Sequence, residues 1–395
     1  MSDITDVDVN APVAKAARVV THLVDADAHV NPPPTMWADY LSPQFREHAP
    51  RVESDDQFDY VVFEGERRKV NLLSAQAGRT FEQYKSEGRL SDQRLGGWMP
   101  AQRLEDMDRD GVETAVIYGQ SLLATANLPL YIDSYRAYNR WIADFCSHAP
   151  RRLRHVSYIP MFDVAQSIEM MKEVKDDGAC GVCIPAWPHS AEMLDAKNAP
   201  MMVIAGHPGC GREYRDAEFE PFWKAACDLD MAVTWHLGKH QVRFTDKVNF
   251  LPDLALSKPT MLEMAAILVF AGVFDKFPTL RVGLIESGAG WLAWSGEFMN
   301  RIWRMQRHWI DSPLKHEPSY YMDQNVYASF IEDRVAVLLR DEPGGRNIMW
   351  SSDYPHSETT FPHSQNVIGR IFEGVPQKER DWIVAGCAEK FYGLK

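Results

Sequence analysis

The chain has 395 residues, 45% of them hydrophobic and 25% charged, with a mean hydropathy of −0.33; this argues against a disordered or membrane-embedded protein and for a large folded core. Its 42 Lys and Arg against 55 Asp and Glu give a formal net charge of −13, which speaks against nucleic acid or an anionic membrane as partner and leaves a small molecule as the expected ligand. Six cysteines in so long a chain do not make a disulfide framework and fit reduced thiols.

Residues 1–18 (MSDITDVDVNAPVAKAAR) read as an N-terminal extension without the apolar run of a signal peptide, and no stretch is long and apolar enough to span a bilayer. A cytoplasmic location is the expectation. From residue 19 on, short runs rich in β-branched residues alternate with amphipathic stretches. The pattern predicts strands over 19–29, 113–119, 155–160, 179–184, 232–237, 281–286, 326–330 and 348–352. Helices are expected over 103–110, 133–148, 165–177, 220–230, 261–274, 291–308 and 333–340, with a last one over 377–391 after Pro376. Eight βα units in series point to an α/β fold, a closed (β/α)8 TIM barrel forming one domain over 19–395.

Two intervals exceed a minimal barrel. Residues 31–100 separate the first strand from its helix and are expected to form a lid, and 185–219 follow the fourth strand with several Pro and Gly. Cys180 and Cys183 have CxxC spacing, but they fall in an apolar strand where positions three apart face opposite ways, so they read as core residues. The Trp and Met run in WLAWSGEFMNRIWRMQRHW is expected to pack the barrel's outer layer.

The chemistry concentrates at strand ends. Asp27 and His29 close the first strand two residues apart, so their side chains share a face. Asp25 has the same parity but lies deeper. His236 ends the fifth strand and Asp353 follows the eighth. Each part alone reads as an ordinary hydrogen-bonding residue; together, two carboxylates and two imidazoles on the C-terminal rim of a barrel make a mixed N/O set for a divalent cation.

The segments DADAHVNPPPTMWADYL, HLG, FPTLRVGLIESGAGWL, SSDYPH and CAEKFYGL resemble the amidohydrolase-related family that includes aminocarboxymuconate semialdehyde decarboxylase and γ-resorcylate decarboxylase. The resemblance implies zinc or manganese held by Asp27, His29, His236 and Asp353. It also implies that the region of Arg304 and His308 approaches the active-site rim. One departure stands out: many such decarboxylases carry His-Gly-Gly after the sixth strand, where this chain has Glu286-Ser287-Gly288. A carboxylate carries protons at neutral pH only if burial raises its pKa.

Three carboxylates, Asp27, Asp353 and Glu286, would be balanced by two divalent ions and a hydroxide, so one ion or two remain open, with His240 and His356 as further nitrogens. The first expectation is hydrolysis of a small carbonyl-containing substrate by a metal-activated water, with Asp353, Glu286 and His240 as catalytic groups. The alternatives are non-oxidative decarboxylation of a small unsaturated or aromatic acid, and oxygen chemistry at two iron or manganese ions, resembling a heteromeric 2-aminoisobutyrate hydroxylase. A non-catalytic subunit paired with an active paralogue is a further alternative. A homo-oligomer or a pairing with a paralogous subunit is expected.

Overall fold

The computed structural model describes residues 10, 15, 17–119, 122–123, 125–190, 206, 209–240, 242–243 and 246–394. The first strand, β1 (Val24–His29), is buried at every position. In the interval that follows stand β2 (Arg51–Ser54), β3 (Asp59–Phe63), β4 (Glu66–Asn71) and β5 (Glu87–Gly88). The remaining strands are β6 (Thr114–Tyr118), β7 (Leu153–Tyr158), β8 (Gly181–Cys183), β9 (Ala232–His236), β10 (Val282–Ile285), β11 (Val326–Phe330) and β12 (Ile348–Trp350).

Eight of these form one parallel sheet in the order β1-β6-β7-β8-β9-β10-β11-β12. The Asp353 amide donates to the Asp27 carbonyl at 3.1 Å, which ties the last strand to the first. The architecture is the expected (β/α)8 barrel, and each of the eight expected strands is present: most are shortened at one or both ends, 326–330 is unchanged, and the strand expected over 155–160 starts two residues earlier at Leu153. Their apolar runs are covered on both faces, as a parallel sheet requires. Trp223, Trp235 and Trp350 are among the largest fully buried side chains.

The helices obey local rules. Pro100–Asp110 begins on a proline and ends at Gly111 in the left-handed conformation (φ 81°). Leu128–Ser147 and Val164–Asp176 are capped by the side chains of Asn127 and Asp163. The helix expected over 261–274 breaks at Gly272 (φ 70°) into Leu262–Phe270 and Val273–Lys276. The last helix is interrupted by a wider π turn, Trp382–Gly386. Helices Phe250–Ser257, Pro318–Asn325 and Ser364–Ile371 were not expected.

The 31–100 interval holds an antiparallel sheet in the order β2-β3-β4-β5. Glu64 and Gly65 both have positive φ (46° and 81°), the geometry of a tight two-residue hairpin between β3 and β4. This interval leans on the loop after β12: the Gln76 and Ala77 amides donate to the Pro355 carbonyl, and Tyr84 Oη donates to that of Ser357 at 2.8 Å. Most of the central part of 185–219 lies outside the described residues. Cys180 and Cys183 are buried free thiols, as their strand reading implied.

The Trp and Met run packs the barrel's outer layer as expected, but with one face only. Helix Gly290–Gln306 turns Leu292, Met299 and Trp303 inward, whereas Trp294, Phe298, Ile302 and Met305 are exposed. Arg304, on the same helix, pairs with Glu317 at 2.6 Å, and both side chains are largely solvent-facing.

Candidate metal centre

Strand alternation turns Asp25, Asp27 and His29 of β1 to one side, and all three are buried. His236 is the last residue of β9, Glu286 directly follows β10, and Asp353 lies three residues beyond Trp350 of β12. His29 Nε2 is 3.3 Å from Asp27 Oδ1 and 3.3 Å from Asp353 Oδ1. His236 Nε2 is 3.3 Å from Asp27 Oδ1 and 3.5 Å from Glu286 Oε2. The His356 ring stacks on that of His29, centroids 3.9 Å apart, with Nδ1 2.7 Å from Asp353 Oδ1.

Two overlapping donor groups result: Asp27, His29, His236 and Glu286, and His29, Glu286, Asp353 and His356. Within each group the donor atoms all lie within 4.8 Å of one another. Ligands about 2.1 Å from a common ion would have similar spacings. Asp27 Oδ2, both ring nitrogens of His29 and both Asp353 oxygens are buried with no aligned hydrogen-bond partner among the described residues. Leaving such atoms unpaired is costly, so a buried set of this kind fits a divalent cation.

The electrostatics point the same way. Burial would raise Asp27, but the His236 and His29 imidazoles bring it down to about 2. For Asp353 too, burial is outweighed, by His356 and His29, and its carboxyl falls below the usual range. Burial, Asp353 and Asp27 push Glu286 well above the carboxylate range, with Lys258 opposing. Burial would lower His29, yet Asp27 and Asp353 hold it up at about 10. A proton held this tightly among carboxylates occupies a place that suits a metal ion.

The backbone is strained at the same point. Leu237, Glu286 and Asp353 have φ of 64°, 58° and 55°, a left-handed conformation that costs a non-glycine residue on the order of 1–2 kcal/mol. The supporting contacts are dense. Asp25 accepts from the Ser352 amide at 2.9 Å and from its hydroxyl, fixing the turn that carries Asp353; burial pushes Asp25 up to about 7. Arg103 is fully buried, donates to the Gly96 and His29 carbonyls, and stacks on the Tyr354 ring.

The structure thus brings together Asp27, His29, His236, Glu286, Asp353 and His356. His240 is in neither group; its Nε2 lies 3.0 Å from Asp253 Oδ1. Arg304 and His308 are exposed, and neither joins the donor groups. Sequence reading missed Lys258, whose Nζ is 3.9 Å from Glu286 Oε1 and ion-paired to Glu358. It lies beyond the unexpected helix Phe250–Ser257, so no strand-end pattern pointed to it.

Comparison with known proteins adds a lineage. A family model described as Amidohydrolase matches residues 24–394. γ-Resorcylate decarboxylase of Rhodococcus jostii is 24% identical over 270 residues, covering 64% of this chain and 76% of that protein. Among solved structures, an amidohydrolase from Mycobacterium avium subsp. paratuberculosis superposes with a TM-score of 0.71 at 18% identity, covering 95% of this chain and 99% of that one. A dihydroxybenzoic acid decarboxylase from Polaromonas, solved with bound manganese and the inhibitor 2-nitroresorcinol, gives 0.62 at 17% identity, covering 95% and 98%.

Proposed function

Because the chain belongs to the amidohydrolase family, we propose that it is a metal-dependent carboxy-lyase releasing CO2 from a small unsaturated or aromatic acid without oxidation. This reverses the order set from sequence, which put hydrolysis first. The two decarboxylases among the relatives support the alternative. The observation that carries the reading is the buried donor cluster at the strand ends, with polar atoms left over for a cation.

Asp27, His29, His236 and Asp353 would hold the ion, with Glu286 completing the set. When bound, a divalent cation draws electron density from a substrate oxygen beside the carboxylate and so stabilises the electron pair left as CO2 departs. The Asp353 and His356 pair is suited to move the balancing proton: Nδ1 and Oδ1 lie 2.7 Å apart at the edge of the cluster, and the proton replaces CO2 on carbon. Lys258 sets a positive charge beside Glu286, where an anionic substrate group would enter. In this reading, residues 19–395 act as one barrel domain, and 31–100 act as the lid that keeps water from the rim.

The test is CO2 release by manganese-loaded protein from a panel of ortho-hydroxylated benzoates and unsaturated dicarboxylic acids. Turnover of at least one acid is expected. Failure with every acid, together with cleavage of small amides or esters, would return hydrolysis to first place. That second reading has one observation in its favour: two overlapping donor groups, sharing His29 and Glu286, would suit two cations, which would supply an activated water for hydrolysis.

A further inference from the structure

Arg103 is a buried charge without a counter-charge. It is 1% exposed on helix Pro100–Asp110 and forms no ion pair among the described residues. Asp106, three positions on along the same helix, is already committed to Arg94 and Tyr354. The Arg103 guanidinium instead donates through Nε to the Gly96 carbonyl at 2.7 Å and through a terminal nitrogen to the His29 carbonyl, and it lies 4.2 Å over the Tyr354 ring. Keeping a cation buried on carbonyls and a ring face alone is costly.

These contacts close a ring around one of the cluster's imidazoles. The His29 amide donates to the Tyr354 carbonyl at 2.5 Å, the Tyr354 side chain carries Arg103 on its face, and Arg103 returns to the His29 carbonyl. His29 is therefore fixed through the peptide groups on both sides of its Cα. Tyr354 is covalently joined to Asp353, whose Oδ1 stands 3.3 Å from His29 Nε2. The ring thus ties the end of β1 to the turn after β12, the two segments that deliver these two side chains. A third segment enters at Gly96, near the end of the 31–100 interval. A Cβ there would lie 2.4 Å from both Asp106 Oδ2 and Tyr354 Oη, so a residue with a side chain does not fit where that carbonyl meets Arg103.

We propose that Arg103 is a positioning residue of the metal centre, holding His29 and Asp353 at ligand spacing through their backbones without touching cation or substrate. The inference rests on the reading of the strand-end cluster as a cation site. Guanidinium is the group this place requires. Its planar fork offers donors for two carbonyls in different directions while its flat face stacks on an aromatic ring; a lysine ammonium, a point charge on a flexible stem, does not do both. Asp353 sits in a left-handed turn (φ 55°), and such strain persists only where the surrounding contacts hold it. Ligands held in advance bind a cation without first being ordered, and partners that orient ligands are typically worth about 10- to 100-fold in metal affinity.

The experiment is a manganese titration of metal-stripped full-length protein, read by equilibrium dialysis and by the electron paramagnetic resonance spectrum of the bound ion. Urea unfolding of each metal-free protein runs alongside. Arg103→Lys, which keeps the charge, should weaken manganese binding about 10-fold and Arg103→Met about 100-fold, with the bound-ion spectrum changed in both. Arg103→Lys carries the test if Arg103→Met does not fold. Met171→Ala, which opens a cavity on the outer helix Val164–Asp176, is the control for lost stability. It should lower the urea midpoint yet leave manganese affinity within about 2-fold, as expected of distant sites. An Arg103→Lys protein with the affinity and spectrum of wild type would overturn the proposal. So would an equal loss of affinity in Met171→Ala, which would make stability alone the cause. A wild-type protein that binds no manganese would overturn the cation-site reading itself, and the proposal with it.

Discussion

Two buried charged groups in this molecule, barely one loop apart, are built on opposite plans. Arg94 and Asp106 form a bidentate pair with both contacts at 2.6 Å, and Tyr354 donates to the same carboxylate at 2.7 Å. Charge and hydrogen bonds there close within the chain. At the strand ends, Asp27, Glu286 and Asp353 gather three carboxylates around imidazoles, and several of their atoms point at no partner. The first group is finished by folding and the second is not. Incomplete compensation, rather than burial of charge as such, marks the functional place.

The comparison can be broken most sharply at Asp27. Asp27→Asn removes a ligand charge while keeping shape, and should abolish cation retention and lower CO2 release on the order of 10⁴-fold. Metal analysis of purified protein and a single-substrate assay measure the two effects. An Asp27→Asn protein that keeps stoichiometric metal would contradict the ligand assignment.

Next in size is Arg94→Met, which leaves Asp106 buried without its cation. A stability loss of about 3–5 kcal/mol is expected, read from urea unfolding. A loss below about 1 kcal/mol would mean that the closed pair contributes little, and the contrast with the open cluster would fail.

Asp110 sharpens the comparison from between the two cases. It accepts from the Ser364 amide and hydroxyl but has no counter-charge among the described residues, and burial pushes its carboxyl up to about 6 from 3.8. The folded state then binds the proton more tightly than the unfolded state, so stability falls as pH rises from about 4 to 6 and stays at the lower level above. The step amounts to at most about 3 kcal/mol. Asp110→Asn keeps an acceptor for the Ser364 amide and removes the step, so its stability should match wild type near pH 4 and exceed it at pH 7. Parallel pH profiles for the two proteins would refute the assignment.

The legible part of the molecule was the periodic part. Eight short apolar runs announced the barrel strands, because a strand covered on both faces must be apolar throughout. Asp27, His29, His236 and Asp353 stood out because they are polar residues placed where such runs end. The antiparallel sheet in 31–100 escaped notice: β2 is exposed throughout and β4 largely so, and their charged sequences carry weak alternation. His240 looked equivalent to His356 in sequence, since each follows a strand-end residue by three or four positions. The direction of the chain after each strand separated them, sending His240 to Asp253 and His356 onto the His29 ring.

By itself, the amino-acid order determined the number and sequence of the βα units and which residues would stand at the strand ends, since both follow from local periodicity. Tertiary structure alone decided that Glu286 and His356 turn into the cluster, that Lys258 joins them from outside the strand pattern, and that one helix shows apolar side chains to water. Those outcomes depend on left-handed turns at Glu286 and Asp353 and on contacts between residues far apart in the chain, which no local pattern encodes.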